Sequence, residues 1–329
     1  RAYAFLSPRL EPPSDSIVFE GDASELASHA GRAAIVIADA VVARYLRVEL
    51  HGEAPAPLEI TATEVLACEL SDTTLVTTLR RSFALFRDRP LFLTVEGEAV
   101  ATYGEIWERA HRFSRGLAKR IEPIADAPDA PERLRGRGVL AIVTRSRPEW
   151  LIADLAGLLR GYVTVPLSPD EADDRLAHVL ARAPATCIVC EASDVARMQA
   201  LAPKAVVISA DDVDAVCAEG DTGDVPLLAP HSPDDLHSVL FTSGSTGAPK
   251  GAMRTFATFF AMVSSYAVGH SPRHLSFQPL SHLSERMYLP SLLIHGGCIA
   301  FAQGGAHLYD ELRRFGPTTL GSVPRLFEV

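Results

Sequence analysis

The sequence predicts an α/β fold, a parallel sheet covered by helices over roughly residues 75–329, preceded by a small β-rich segment. Short apolar runs rich in β-branched residues alternate with helical segments in the larger part, which is the rhythm of β-α-β units. The first ~70 residues lack this alternation. They contain four strand-like runs, "SIVFEG", "AAIVIA", "YLRVELHG" and "LEITATEVLACEL". We therefore predict a β-rich region of unknown role over 1–73 and an α/β domain over 74–329.

Near its start, the α/β domain is predicted to contain a hairpin that turns at Glu96-Gly97. Thr102 and Glu105 have the spacing of a capping box, which predicts the start of a helix. The apolar stripe of that helix is predicted to be Ile106, Ala110, Phe113 and Leu117.

The central region supplies the parallel strands. The runs "VLAIVT", "YVTVPL", "TCIVC" and "AVVIS" read as buried strands between residues 139 and 209. Pro148 suits the first turn of the helix that follows the first run, and Gly161 suits its end. Further helices are predicted near 170–183 and 195–201.

The same rhythm continues to the end of the chain. A helix near 256–268, strands over "LSFQ" and "CIAFA", a helix near 308–315 and a strand over "TTLGSV" are predicted. The segments 122–138 and 211–235 are rich in charged residues, Pro and Gly, so we interpret them as surface connections.

The composition and charge argue against nucleic acid binding and against a membrane-spanning protein. The net charge of −10 gives no reason to expect nucleic acid binding, and no apolar run is long enough to span a membrane. No secretory signal is visible. Because the first residue is Arg1, we expect the natural start to lie upstream. We expect a cytoplasmic protein that could associate peripherally with membranes.

The five cysteines do not predict a metal or redox site. Cys187 and Cys190 have the C-x-x-C spacing, but residues three apart on a strand point to opposite faces, and no second C-x-x-C completes a tetrahedral site. We interpret the cysteines as structural, which suits a reducing compartment. They are Cys68, Cys187, Cys190, Cys217 and Cys298.

The stretch "TSGSTGAPKG", Thr242–Gly251, follows a strand-like run directly. A Walker A loop is excluded because Lys250 stands between proline and glycine. A nucleophile elbow is excluded because Ser243 replaces the first glycine before Ser245. A flexible surface loop explains the glycines, but not four hydroxyl residues and a lysine directly after a strand. A phosphate-binding loop explains all of them, since small residues admit a polyphosphate to the backbone N–H groups.

The ten residues resemble the signature loop of the AMP-forming adenylate synthetases, which include acyl-CoA synthetases, peptide-synthetase adenylation domains, luciferases and carboxylic acid reductases. "QPLSHLSERMYLP" resembles the P-L-[AS]-H-x-x-E-R segment of long-chain acyl-CoA synthetases, and "SRPEWLIADLAGLLRGYVTVPLSP" resembles the first large β-α-β unit. The resemblance runs from about residue 75 to residue 329. It identifies the N-terminal part of the large domain of an adenylate-forming enzyme.

The resemblance implies a function in fatty acid metabolism. A carboxylate and ATP give an acyl-adenylate and pyrophosphate, and a thioester then forms with CoA or a carrier phosphopantetheine, with Mg²⁺ as cofactor. Lys250 is implied to neutralise the departing pyrophosphate. The residues implied to bind the nucleotide phosphates are Thr242, Ser243, Gly244, Ser245, Thr246, Gly247, Lys250 and Gly251.

The second matching segment places His282 at the junction of the acyl pocket and the nucleotide. We predict a substrate-site role for it and not general base catalysis, because a carboxylate is already a nucleophile. Glu285 and Arg286 are interpreted, as an alternative, as a structural ion pair. Four further histidines show no metal-ligating spacing: His270, His274, His295 and His307.

Three functions stay open. The first is an acyl-CoA synthetase, and the second is the adenylation region of a carboxylic acid reductase or another carrier-loading enzyme. The third is a non-catalytic nucleotide-binding protein. The resemblance places the magnesium, ribose and C-terminal lysine contacts beyond Val329, so these 329 residues alone are expected to be inactive.

Overall fold

The chain divides into two compact units, Arg1–Thr78 and Leu79–Val329. In the first unit, strands β1 (Ile17–Phe19) and β2 (Leu46–Val48) pair antiparallel and lie within two of the predicted strand runs. The runs "AAIVIA" and "LEITATEVLACEL" lie outside the described residues, as does Cys68. The computed structural model describes residues 17–19, 46–48, 75–121, 131–220, 232–242, 248–264 and 272–320.

The order of elements from residue 75 onward alternates strand and helix. The strands are β3 (Pro90–Leu93), β4 (Ala99–Thr102), β5 (Val139–Val143), β6 (Val163–Pro166), β7 (Cys187–Cys190), β8 (Val206–Ser209), β9 (Leu236–Thr242), β10 (Lys250–Thr255), β11 (Arg273–Ser276) and β12 (Cys298–Phe301). The helices are α1 (Leu75–Leu85), α2 (Tyr103–Ile121), α3 (Pro148–Arg160), α4 (Asp173–Arg182), α5 (Val195–Leu201), α6 (Val213–Gly220), α7 (Phe256–Ser264), α8 (Leu283–Ile294) and α9 (Leu308–Phe315).

The larger sheet has six strands in the order β10-β9-β6-β5-β7-β8. The strands from β9 to β8 run parallel, and β10 alone of the six is antiparallel to its neighbour. Every residue of β5, β6 and β7 is buried, as expected for strands covered by helices on both faces. The parallel α/β fold predicted from the sequence is confirmed.

The smaller sheet has four strands in the order β11-β12-β3-β4. Its β3–β4 hairpin turns at Gly97, which has a φ of 93°, a value that favours glycine. The capping box then starts α2, because Glu105 N donates to Thr102 Oγ1 and Thr102 N donates to a Glu105 carboxylate oxygen at 2.7 Å. The predicted apolar stripe of α2 is fully buried.

Helix α6 lies in a segment that the sequence analysis interpreted as a surface connection, and over 213–220 that interpretation is wrong. Val213, Val216 and Cys217 are buried. The helix packs closely on α2: a Cβ atom added at Gly116 would lie 2.2 Å from the Val216 carbonyl oxygen. Residues 221–231 of the same segment lie outside the described residues.

The C-x-x-C pair lies on β7, where both thiols are buried and free. Burial raises the pKa of the Cys187 thiol to about 12, and burial also raises the pKa of the Cys190 thiol to about 12. Thiols with such pKa values are almost fully protonated near neutral pH. The thiolate is the form that reacts as a nucleophile or binds a metal, so these two cysteines are poorly suited to either role. The structural interpretation of this pair agrees with the structure.

We predict that the half-buried His111 on α2 makes the domain sensitive to acid. Burial lowers the pKa of His111 from 6.5 to about 4, and the charges of Arg115 and Arg80 act in the same direction. Below pH 6.5 the unfolded chain takes up a proton at His111 that the folded chain resists. Stability from this group is therefore full above pH 6.5 and is lost as the pH falls towards 4.

The measurement is the melting temperature of the wild type and the His111→Gln variant between pH 7.5 and pH 4.5. The wild type is expected to lose more stability over this range than the variant does. Equal losses in the two proteins would contradict the role of His111.

Candidate functional site

The predicted phosphate-binding stretch connects two paired strands. β9 ends at Thr242, β10 begins at Lys250, and these two residues are Cα partners in the antiparallel ladder. The stretch leaves the large sheet at the carboxyl end of β9, the edge at which ligands of open α/β sheets bind. Ser243, Gly244, Ser245, Thr246 and Gly247 lie outside the described residues. The structure therefore brings together Thr242 and Lys250, the two ends of the stretch.

The side chains at these two ends point into solvent. Thr242 and Lys250 are both exposed. Within the part of the chain that the structure describes, the Lys250 ammonium has no ion pair and no hydrogen bond. A cation at the carboxyl edge of the sheet, without a partner among the described residues, is suited to an anionic ligand.

Gly251 has a packing role that the sequence analysis did not predict. A Cβ atom at this position would lie 2.8 Å from Val239 Cγ1 and 3.0 Å from a ring carbon of Phe241. Both contacts are closer than real Cβ atoms tolerate without displacement of a neighbour. Glycine at this position therefore lets β10 lie against the side chains of β9.

His178 on α4 holds the returning end of the stretch. Its Nε2 lies 3.2 Å from the carbonyl oxygen of Pro249, the residue before Lys250. A carbonyl oxygen can only accept, so this contact requires the tautomer or charge state with a proton on Nε2. The sequence analysis missed His178, and no signal in the sequence marks it.

His282 is the N-cap residue of α8. Its backbone is extended, with φ −80° and ψ 140°, and its N–H donates to the Pro279 carbonyl oxygen at 2.9 Å. The side chain of His282 is exposed. The residue therefore stands at the point where the chain enters α8, and its imidazole is accessible to a ligand.

The segment before His282 is held against the carboxyl end of β5. Leu280 N donates to Ser146 Oγ at 3.2 Å, and Ser146 Oγ lies 3.4 Å from the Gln278 carbonyl oxygen. Ser146 follows β5, and β6 separates β5 from β9 in the sheet. Strands are about 4.8 Å apart, so the segment and the start of the glycine-rich stretch lie on one edge, separated by about two strand spacings.

Glu285 and Arg286 do not pair with one another, and the interpretation of these residues as an ion pair is wrong. Adjacent helical residues point in directions about 100° apart. The Glu285 carboxylate contacts His274 Nε2 at 2.8 Å, and Arg286 Nη2 contacts Asp154 Oδ1 at 2.7 Å. Each side chain instead has a partner on another element.

Two of the other histidines, His274 and His295, contact neighbouring side chains or backbone. His274 is buried on β11 and its ring lies against Tyr288, with 4.4 Å between ring centroids. His295 Nδ1 lies 2.7 Å from the Ser291 carbonyl oxygen, and burial lowers its pKa. His307 is exposed, and His270 lies outside the described residues. No cluster of three or more His, Cys, Asp or Glu side chains among the residues with described positions could hold a metal ion.

No helix in the described ranges is long and apolar enough to cross a membrane.

Comparison with protein families gives a match to one family model, described as "AMP-binding enzyme", over residues 79–329. Long-chain-fatty-acid–CoA ligase 6 of Rattus norvegicus is 30% identical over 260 residues, which are 68% of this chain and 36% of that protein. The peroxisomal long chain acyl-CoA synthetase 6 of Arabidopsis thaliana is 29% identical over 252 residues, 69% of this chain and 34% of that protein. The chain thus spans about a third of the length of these relatives.

Solved structures show the same fold. The adenylation–carrier didomain of a carboxylic acid reductase from Segniliparus rugosus, in complex with AMP, superposes with a TM-score of 0.66 at 20% identity, over 82% of this chain and 45% of that chain. O-succinylbenzoate coenzyme A synthetase of Bacillus subtilis, also in complex with AMP, gives a TM-score of 0.61 at 21% identity, over 75% and 61% of the two chains.

Proposed function

The chain belongs to the AMP-binding enzyme family, and from this premise we propose that it activates a fatty acid with ATP and transfers the acyl group to CoA. The observation that carries the proposal is the placement of the glycine- and hydroxyl-rich stretch. Its two ends, Thr242 and Lys250, are Cα partners in paired strands at the carboxyl end of β9, and the Lys250 ammonium has no ion pair or hydrogen bond among the described residues. The long-chain ligases among its relatives support a fatty acid as the substrate.

In the first step, a carboxylate oxygen of the acid attacks the α-phosphorus of ATP. A bond forms between these two atoms, the bond from the α-phosphorus to the bridging oxygen breaks, and pyrophosphate leaves. In the second step, the CoA sulfur attacks the carbonyl carbon, AMP leaves, and the thiol proton passes to solvent. The protein contributes mainly by positioning the reactants and stabilising charge.

Lys250 carries the charge stabilisation in this proposal, and the residues from Thr242 to Gly247 cradle the β- and γ-phosphates. His282 contacts the carboxylate or the α-phosphate from the first turn of α8. Magnesium would bind the phosphates of ATP, and the resemblance assigns its protein ligand to a segment beyond Val329.

The test is acid-dependent exchange of labelled pyrophosphate into ATP by the complete natural protein. We expect exchange with acids of a chain-length series, strongest among long chains. Exchange that does not require a carboxylic acid, or no exchange with any acid, would contradict the proposal. The second outcome would favour a non-catalytic nucleotide-binding protein.

The similarity to a carboxylic acid reductase didomain favours a second candidate, in which the acyl group passes to a carrier phosphopantetheine. The two candidates share the adenylation step and differ in the thiol that accepts the acyl group. Incubation of the natural protein with acid, ATP and CoA separates them. Release of free acyl-CoA supports the first candidate. Formation of a thioester on the phosphopantetheine of a carrier, with no release of acyl-CoA, supports the second.

We predict that a protein of these 329 residues alone forms no acyl-CoA. The resemblance assigns the ribose contact, the magnesium ligand and the adenylation lysine to segments that lie outside the matched third of the relatives. The measurement is thioester formation by the purified 329-residue protein, with the natural protein as the control. ATP-dependent thioester formation by the shorter protein would contradict the prediction.

A further inference from the structure

The first turn of α8 is bound to both sheets by two neighbouring side chains. Glu285 reaches the four-stranded sheet, where its carboxylate contacts His274 Nε2 on β11 at 2.8 Å. Arg286 reaches the six-stranded sheet, where its Nη2 donates to Thr164 Oγ1 on β6 at 2.6 Å. The same Nη2 donates to Asp154 Oδ1 on α3 at 2.7 Å.

Glu285 and Arg286, which we call the two anchors, are both buried. Glu285 is 3% exposed and Arg286 is 1% exposed. The Arg286 guanidinium also lies over the rings of Trp150 and Phe259, with its central carbon 5.2 Å and 5.7 Å from the ring centroids. Charged side chains are rarely buried this completely unless they have a partner, and a buried ion pair is weak evidence for a contribution to stability.

The anchored turn carries His282. Arg286 N donates to the His282 carbonyl oxygen at 3.0 Å, so the backbone of His282 moves with the residue that is bound to β6. The side chain of Ser284 adds a third attachment, since its hydroxyl donates to Gln278 Oε1 at 2.8 Å. Glu285 and Arg286 are therefore buried and bound to the two sheets, whereas His282, at the start of the same helical turn, is exposed.

We propose that Glu285 and Arg286 are positioning residues, which set the location of His282 relative to the acid and the nucleotide. The proposal rests on the proposed function of the site. Glu285 fixes the turn to the smaller sheet and Arg286 fixes it to the larger sheet, so a change at either residue displaces His282 without removing it. The proposed function assigns the β- and γ-phosphates to the stretch from Thr242 to Lys250 and not to His282, so we expect the binding of ATP to change little.

The experiment measures acid-dependent pyrophosphate exchange by the natural protein and by the variants Glu285→Gln, Arg286→Lys and Thr164→Val. Thr164→Val removes one acceptor of Arg286 with little change in volume, and it keeps the test available if Arg286→Lys does not fold. Arg314→Lys, at an exposed pair with Glu96, is the matched control. Glu285→Gln and Arg286→Lys are expected to lower kcat/KM for the acid about tenfold, while KM for ATP changes less than about twofold.

A double-mutant cycle with His282→Ala separates positioning from general support of the fold. If Glu285 and Arg286 act through His282, their substitution should matter little once the imidazole is gone. We therefore expect kcat/KM for the acid to be less than about twofold lower in His282→Ala/Arg286→Lys or His282→Ala/Glu285→Gln than in His282→Ala alone. Where Arg286→Lys does not fold, Thr164→Val takes its place in the cycle.

Two results would overturn the inference and leave the proposed function intact. One is a decrease in kcat/KM of the double variants that equals the product of the two single decreases. The other is that the variants of Glu285 and Arg286 have the same kinetics as Arg314→Lys. Absence of acid-dependent exchange in the wild type would overturn both.

Discussion

Replacement of Lys250 by alanine in the natural protein is expected to slow acyl-adenylate formation about ten- to a hundredfold and to leave the fold nearly unchanged. Lys250 is exposed, and its ammonium has no partner in the described part of the chain, so its loss removes little packing. One charge-assisted contact to phosphate contributes about 1.5–3 kcal/mol, which corresponds to this change in rate. The measurement compares the two half-reactions separately.

The second half-reaction, started from synthetic acyl-adenylate and CoA, contains no β- or γ-phosphate and is expected to lose much less. Lys204→Ala is the matched control, because Lys204 is an exposed lysine before β8, at the opposite edge of the same sheet from β10. Equal losses in both half-reactions would show that Lys250 supports the structure instead of the pyrophosphate.

Replacement of Asp154 by alanine is expected to destabilise the domain by about 3–5 kcal/mol, the range for breaking a buried ion pair by removal of one partner. Arg286 would keep its charge at 1% exposure and lose its carboxylate partner. Its Nε and Nη1 atoms have no hydrogen-bond partner among the described residues, so the neutral hydroxyl of Thr164, which accepts from Nη2, is the acceptor that remains there. Urea-induced unfolding, followed by tryptophan fluorescence, measures the change.

The double variant Asp154→Ala/Arg286→Met is expected to recover much of the lost stability, because both charges are then absent. Asp170→Ala removes the partner of Arg145 in an exposed pair and is expected to cost less than about 1 kcal/mol. If Asp154→Ala were no more harmful than Asp170→Ala, the buried pair would not contribute as described.

Local signals in the sequence predicted much of the fold. The capping box at Thr102 and Glu105 and the stripe of α2 depend on residues three or four apart, so their geometry follows from the helix alone. The strands from β5 to β8 are continuous apolar runs, which is how buried parallel strands read.

Features that depend on distant partners were not predicted. Helix α6 has apolar residues at 213, 216 and 217, which is helical spacing, but acidic residues and nearby glycines and prolines favoured a surface connection. The partners of Glu285 and Arg286 are 11 and 132 positions away along the chain, and only the folded sheets bring them together. His178 was missed for the same reason.

The sequence identified the candidate site residues Lys250 and His282, but it did not predict how the residues around them pack. The motif pattern marked Lys250 and His282, and the structure shows both side chains accessible. It also gives Gly251 a packing role, because β10 approaches the side chains of Val239 and Phe241. The roles of Lys250, His282 and residues 243–247 in binding phosphate or substrate stay predictions, and the structure does not describe residues 243–247.

The most direct test of the central claim follows the carboxylate oxygens of the acid. A long-chain acid labelled with ¹⁸O in both carboxylate oxygens is incubated with the natural protein, ATP and CoA, and the products are analysed by mass spectrometry. Attack of the carboxylate on the α-phosphorus leaves one labelled oxygen on AMP after the thioester forms. We therefore expect AMP with one ¹⁸O atom and unlabelled pyrophosphate. Label in inorganic phosphate with formation of ADP, or unlabelled AMP, would contradict activation through an acyl-adenylate.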